Sequence, residues 1–138
     1  MKNTLLALCA AVALVVSFSA CSSQMPVGLG IELVSLDAGA GKATVRYLNP
    51  SVVAYNVEHS SHRVFLDGKL AGTIEIKAPL GIPQQRNLEQ SGTFVAGKGA
   101  GVPAGSASYR LESTLTLVLY GDNLQTSKLS GSGTVVLK

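Results

Sequence analysis

The side chains able to do chemistry are few. The chain holds two cysteines and two histidines, and no tryptophan. The histidines stand together in His59-Ser60-Ser61-His62. Residues three apart on a strand point to opposite faces, so these two rings would not share a metal. No cysteine or carboxylate cluster supplies further ligands, and no metal or other cofactor is expected. Ser60, His62 and Asp67 make a triad on paper, but nothing near them suggests a nucleophile elbow or an oxyanion hole. A solvated strand end is the expectation there. Glu75 and Glu89 have no partner carboxylate at a recognisable spacing for paired acid–base work. Lys98-Gly99, within the segment Gly97 to Gly105, has a hint of a phosphate loop, yet no Gly-Lys-Ser/Thr follows into a helix. A surface loop is expected instead. No catalytic residue is expected, and the chain reads as a non-enzyme.

Cys21 is the exception. It follows Met1-Lys2-Asn3-Thr4, an apolar run from Leu5 to Val16, and Ser17-Phe18-Ser19-Ala20. A charged start, a short apolar stretch and small residues are the order of a secretory leader. The apolar run reaches only about 18 Å as a helix, against a bilayer core of about 30 Å, too short to span. Phe18-Ser19-Ala20-Cys21 resembles a bacterial lipobox, with Phe18 in place of the usual aliphatic residue. That resemblance implies a diacylglyceryl group on the Cys21 thiol, cleavage before it, and acylation of the new amine. Each buried methylene is worth about 0.8 kcal/mol, and one chain alone binds reversibly, so two or three chains on Cys21 would hold the protein on the membrane. The plain alternative is an ordinary leader cut after Ala20, with Cys21 a simple thiol. Ser22-Ser23 after the cysteine lacks the Asp that marks inner-membrane retention in enteric bacteria. The resemblance therefore implies the outer membrane, facing the periplasm.

These segments divide the chain into a leader at 1–20, a lipid-anchored tether at 21–28, broken by Pro26, and a domain at 29–138. Cys9 leaves with the leader and Cys21 carries lipid, so the mature chain keeps no thiol for a disulfide, metal or catalysis. The net charge of +3 becomes +2 when Lys2 is lost, and the charges are dispersed. With no basic stripe and no interleaved aromatics, nucleic acid is not an expected partner.

From Leu29 onward the chain is rich in Val, Ile, Leu, Thr and Tyr, punctuated by Gly, Asn, Asp and Pro. That texture predicts an all-β sandwich of seven or eight antiparallel strands with little or no helix. Tyr109, Leu111, Ser113, Leu115, Leu117 and Leu119 alternate with Arg110, Glu112, Thr114, Thr116, Val118 and Tyr120, a long half-buried strand. Leu70, Gly72, Ile74 and Ile76 form an apolar face in the same way. Asp67-Gly68 suits a type I′ turn, which predicts a hairpin from Val64 to Lys77. Leu29 to Asp37 and Lys42 to Tyr47 read as strands either side of a glycine turn, the second ending at Asn49-Pro50 because proline cannot donate to a ladder. Val53, Tyr55 and Val57 begin the next strand, Phe94-Val95 lies in another, Gly121-Asp122-Asn123 is a turn, and Leu129 to Leu137 closes the chain.

Three segments together resemble the late embryogenesis abundant group-two type domain, also called the WHy (water stress and hypersensitive response) domain. They are Ala43-Thr44-Val45-Arg46-Tyr47-Leu48-Asn49-Pro50, the run from Val53 through the Asp67-Gly68 hairpin to Thr73, and Tyr109 to Leu115 with the closing strand. The resemblance covers about Leu29 to Lys138. Where the family often has a short helix before its penultimate long strand, this chain has its glycine-rich loop. The resemblance implies an immunoglobulin/fibronectin-like β-sandwich with no catalytic residues, and links to desiccation, cold and heat stress. Asn49 and Pro50 match the family's signature. Asn can bond its own backbone in a turn and Pro50 fixes φ after it, so a structural role is expected for both, with binding as the alternative for Asn49.

The expectation is a non-catalytic outer-membrane lipoprotein, stress-protective through weak contact of a β face or edge with client proteins. The rival is an accessory subunit or a ligand- or glycan-binding lipoprotein of an envelope assembly, with the Gly97 to Gly105 loop as its recognition element.

Overall fold

The computed structural model of the chain describes residues 28–77 and 79–138, so the leader, Cys21 and the tether up to residue 27 lie outside the described residues. Eight strands follow one another: β1 (Gly30–Asp37), β2 (Lys42–Asn49), β3 (Tyr55–Leu66), β4 (Lys69–Ile76), β5 (Leu80–Ile82), β6 (Arg86–Ala96), β7 (Gly105–Val118) and β8 (Leu124–Leu137). The helical structure among the described residues is one 3-10 turn, Tyr120–Asp122. The fold is all-β.

Local chemistry accounts for several of these elements. On β2, Ala43, Val45 and Tyr47 are buried while Lys42, Thr44 and Arg46 face outward, and the strand stops before Pro50. Asp67 and Gly68 have φ of 47° and 81°, the two positive values that a type I′ turn requires, and they join β3 to β4 as a hairpin. On β7, Tyr109, Leu111, Ser113, Leu115 and Leu117 all face the core. One face departs from its expected phase. Val64 pairs with Gly72 and Phe65 with Leu70, which leaves Ala71 as an extra residue in β4. The bulge turns Leu70 outward, and Ala71 and Gly72 are both buried.

The strand order is β4-β6-β2-β1-β8-β7-β3-β5, and β4 also pairs with β3. Seven strands therefore close into a barrel, and β5 is an extra strand on β3. This corrects the immunoglobulin/fibronectin-like sandwich, which would keep two separate sheets. The reason lies in strands that change partners. β6 pairs with β2 from Arg86 to Thr93 and with β4 from Thr93 to Ala96. The β4–β6 corner is tight enough to need Gly72, where a Cβ would lie 2.2 Å from the Val95 carbonyl oxygen. The other seam is thin. β1 and β8 run parallel and pair at Leu36 and Leu137, and at Gly131 of β8 a Cβ would lie 2.1 Å from the Ile31 carbonyl oxygen. Inside the ring, Leu36, Val45, Tyr47, Val64, Ile74, Leu111 and Leu115 are fully buried.

Candidate functional site

The chemistry-bearing residues of β3 are split between its two sides by a second bulge. Val57 pairs with Leu117 and His59 with Thr116, so Glu58 is the extra residue. Without it, the alternation begun by Tyr55 and Val57 would carry His59 and Ser61 inward. With it, the phase reverses, and Ser60 and His62 enter the core, each 0% exposed. The expected solvated strand end is therefore wrong for these two residues.

Inside, they meet Tyr47 of β2 and Ser113 of β7. The Tyr47 hydroxyl lies 2.7 Å from Ser60 Oγ and 3.2 Å from His62 Nε2. His62 Nε2 is 3.0 Å from Ser60 Oγ, and its Nδ1 is 2.8 Å from Ser113 Oγ. Both ring nitrogens are thus engaged, as a buried neutral imidazole requires. Desolvation drives the His62 pKa down to about 4, the charge of Glu75 opposing and that of His59 assisting. Burial also raises the Tyr47 hydroxyl, partly offset by its bond to Ser60. A serine beside a neutral histidine is the makings of a nucleophile and base, but a fully buried pair meets no substrate. Asp67 does not complete it. Its carboxylate sits at the β3–β4 turn and accepts from the Ser108 amide and hydroxyl, both at 3.0 Å. The sequence signal for this cluster was Ser113, a polar residue in an otherwise apolar row; Tyr47 gave no such signal.

Outside, His59 Nε2 lies 2.7 Å from Glu75 Oε2, and Ser61 Oγ donates to Glu75 Oε1 at 2.6 Å. Partial desolvation pushes the Glu75 carboxyl upward, but the Ser61 and His59 bonds, with the nearby charges of His59 and Lys77, outweigh it and leave the group below its ordinary value. On the next stretch of wall Arg46 bridges Glu32 of β1 at 3.0 Å and Glu89 of β6 at 2.6 Å. Glu89 is thus an ion-pair partner, and Glu75 is held by a hydroxyl and a ring nitrogen. No three His, Cys, Asp or Glu side chains among the described residues gather as metal ligands.

Asn49 ends β2 on the core side and is 1% exposed. Its Nδ2 donates to the Val53 carbonyl at 2.8 Å and the Pro83 carbonyl at 2.9 Å. Its Oδ1 accepts from the Ser51 amide at 3.1 Å and the Ser51 hydroxyl at 2.8 Å. One side chain so ties the β2–β3 loop, which begins at Pro50, to the β5–β6 connection. All of the amide's hydrogen-bonding groups are spent on the fold. At the opposite end of the barrel, Lys98, Gly99, Ala100, Gly101 and Pro103 border a cavity of about 520 Å³ with Lys69 and Asp67. Cys21 lies outside the described residues.

This architecture has a counterpart among solved structures. The solution structure of AT1g01470 from Arabidopsis thaliana superposes with a TM-score of 0.52 and 17% identity, over 83% of this chain and 85% of that one. At that identity the likeness is one of fold alone. Weaker likenesses are to a protein from Archaeoglobus fulgidus, with a TM-score of 0.43 and 9% identity over 80% of this chain and 95% of that one, and to a candidate late embryogenesis abundant (LEA) protein, At2g46140.1, at 0.40 and 14% over 77% and 68%. Neither of these carries an argument. No family model matches the chain, and no curated protein matches it significantly.

Proposed function

We propose that this chain is a non-catalytic lipoprotein of the outer membrane, anchored through acyl chains on Cys21, whose periplasmic WHy-like barrel protects client proteins during desiccation, heat or cold through weak contacts. The observation that carries the reading is Cys21 itself, placed after a charged start, a short apolar run and Phe18-Ser19-Ala20. The burial of Ser60 and His62 supports the non-catalytic part, since the most reactive-looking pair in the domain has no route to a substrate. Ring closure bears on how clients would be met. Closed barrels leave little free strand edge: here it is confined to the thin β1–β8 seam and to β5, which has three residues. Contact then falls mainly to the outer wall and loops.

The test has two arms. Intact mass and membrane fractionation of wild type and Cys21→Ser read the anchor: acyl mass and membrane retention in the first, neither in the second. Protection is read by drying or heating a labile enzyme with the Cys21→Ser protein. Recovery no better than with an equal mass of an inert protein ends the protective reading. The rival reading, an accessory subunit of an envelope assembly, draws on the cavity beside Lys69 and Lys98, and a single stoichiometric partner retained from membranes would favour it.

A further inference from the structure

The two ends of the barrel differ in what they expose. β1 begins with Gly30 opposite Leu48, so the exposed Gly28 stands at the level where β2 ends at Asn49. The β2–β3 loop leaves from that level with Val52 72% and Val53 53% exposed. Asn56 of β3 faces Val118 of β7, and Val118 faces Leu124 of β8, so the β7–β8 turn stands at the same end. There Tyr120 is 98% and Leu124 56% exposed. The two loops share one surface, because Val53 to Asn56 and Leu117 to Tyr120 line a single mostly apolar cavity of about 570 Å³.

Hydrogen bonds fix the backbone of both loops while these side chains point outward. Asn49 ties down the first at the Val53 carbonyl. In the second, the Leu119 amide donates to the Asn123 carbonyl at 2.8 Å and Asn123 Nδ2 to the Tyr120 carbonyl at 3.0 Å. Charges at this end are few and of both signs: Asp122 in the turn, and Arg86 opposite Asn49. The other end also exposes Leu70, Val95 and Val136, but there they stand among Lys42, Lys69, Lys98 and Lys138, which outnumber Asp37 and Asp67 at its turns and strand ends.

We propose that the apolar end is a lipid-facing tip: in the acylated protein, Val52, Val53, Tyr120 and Leu124 enter the headgroup–acyl boundary of the bilayer that holds the chains on Cys21. The inference rests on the lipid-anchor reading above. Gly28 lies seven positions beyond Cys21, a reach of at most about 25 Å at full extension. The tether therefore leaves from this end, which needs no run of chain along the wall to meet the lipid, whereas the lysine end would need most of that reach. Tethering gives an effective concentration on the order of millimolar, so a contact too weak to bind free protein becomes populated. Tyrosine, with an apolar ring and a polar tip, suits that boundary. The mixed and sparse charge adds no net repulsion from anionic headgroups.

The chain has no tryptophan, so one can be added as a reporter. The full chain, acylated in cells, is reconstituted into phosphatidylethanolamine–phosphatidylglycerol vesicles as Tyr120→Trp and, at the far end, as Lys69→Trp. Insertion by ~5–10 Å predicts that acyl chains brominated near the headgroup quench the Tyr120→Trp emission by about half or more and leave Lys69→Trp unchanged. Equal emission from the two overturns the proposal. So does a blue shift of Tyr120→Trp without quenching, which would mean that a second copy or another protein covers the tip. Intact mass of the same preparation separates the two readings. Absent acyl mass removes the anchor and the tip with it, whereas acyl mass with an unquenched reporter refutes the tip alone.

Discussion

The two sides of β3 put near-identical chemistry into opposite surroundings. His59 and Ser61 face outward and share the Glu75 carboxylate in partial solvent. Ser60 and His62 face inward and share Tyr47 and Ser113 with no solvent at all. One pair of residue types thus gives a carboxylate-centred network on the wall and a neutral polar cluster in the core. The difference is set by a single extra residue, Glu58, which reverses the phase of the strand. Position on a pleated surface, more than residue type, decides here whether a histidine meets solvent and a carboxylate or is sealed in as a neutral ring. A polar group in the core is held by every partner around it, whereas one on the wall competes with water at each bond.

The largest break in that contrast is expected from His62→Ala. The substitution empties ring volume in a closed core and strips a partner from Ser60, Ser113 and Tyr47 at once. Lost packing and unpaired buried hydroxyls together predict a destabilisation of about 3–5 kcal/mol, read by denaturant titration of the Cys21→Ser protein. A loss under about 1 kcal/mol, the ordinary size for a wall position, would mean that the interior cluster is not the rigid unit its distances describe.

The next largest effect is a pH dependence. Folded His62 has its pKa lowered to about 4 from an ordinary 6.5. As pH falls below 6.5 the unfolded chain binds a proton that the folded chain refuses until about 4, so the unfolded state holds more protons and stability falls with pH. The difference amounts to about 3 kcal/mol, fully present above 6.5 and lost by about 4. Unfolding free energy measured across that window should show the slope in wild type and lose most of it in His62→Gln. A slope unchanged by the substitution would assign it to other groups.

Much of this arrangement was readable before any fold, and its limits have physical causes. β2, the Asp67-Gly68 hairpin and β7 each carry a clean period of two or a turn that demands positive φ. The separation of His59 from His62 followed from spacing alone. Which of them faces inward did not, because a bulge leaves no mark in hydrophobic alternation when the residues around it are Ser and His. Leu70 was misplaced for the same reason, through the extra residue Ala71. β5 is three residues between prolines at 79 and 83, too short to show a period. The early part of β6, Arg86 to Gly92, is polar enough to read as loop. Closure into a barrel was hidden because it depends on close backbone approach at Gly72 and Gly131, and a glycine in a strand reads equally well as a turn. Asn49 was legible as a turn former, but its bond to Pro83 spans 34 residues and belongs to tertiary structure.

The smallest effect sharpens the comparison from outside. Glu75→Gln removes the charge that faces His59 yet keeps a carbonyl oxygen able to accept from Ser61 Oγ. The side chains of His59 and Glu75 are 40% and 31% exposed, so water replaces most of what is lost, and a destabilisation of about 0.2–1 kcal/mol is expected. Salt provides the discriminating condition. At about 1 M salt the screening length falls to about 3 Å, so the wild-type advantage over Glu75→Gln should shrink toward zero while the cost of His62→Ala stays nearly constant. If instead Glu75→Gln costs as much as His62→Ala and salt leaves it unchanged, the outer face of β3 behaves as a sealed environment. The wall near His59 would then have to be covered in solution, by a partner or by the membrane, and the contrast between the two sides of the strand would no longer hold.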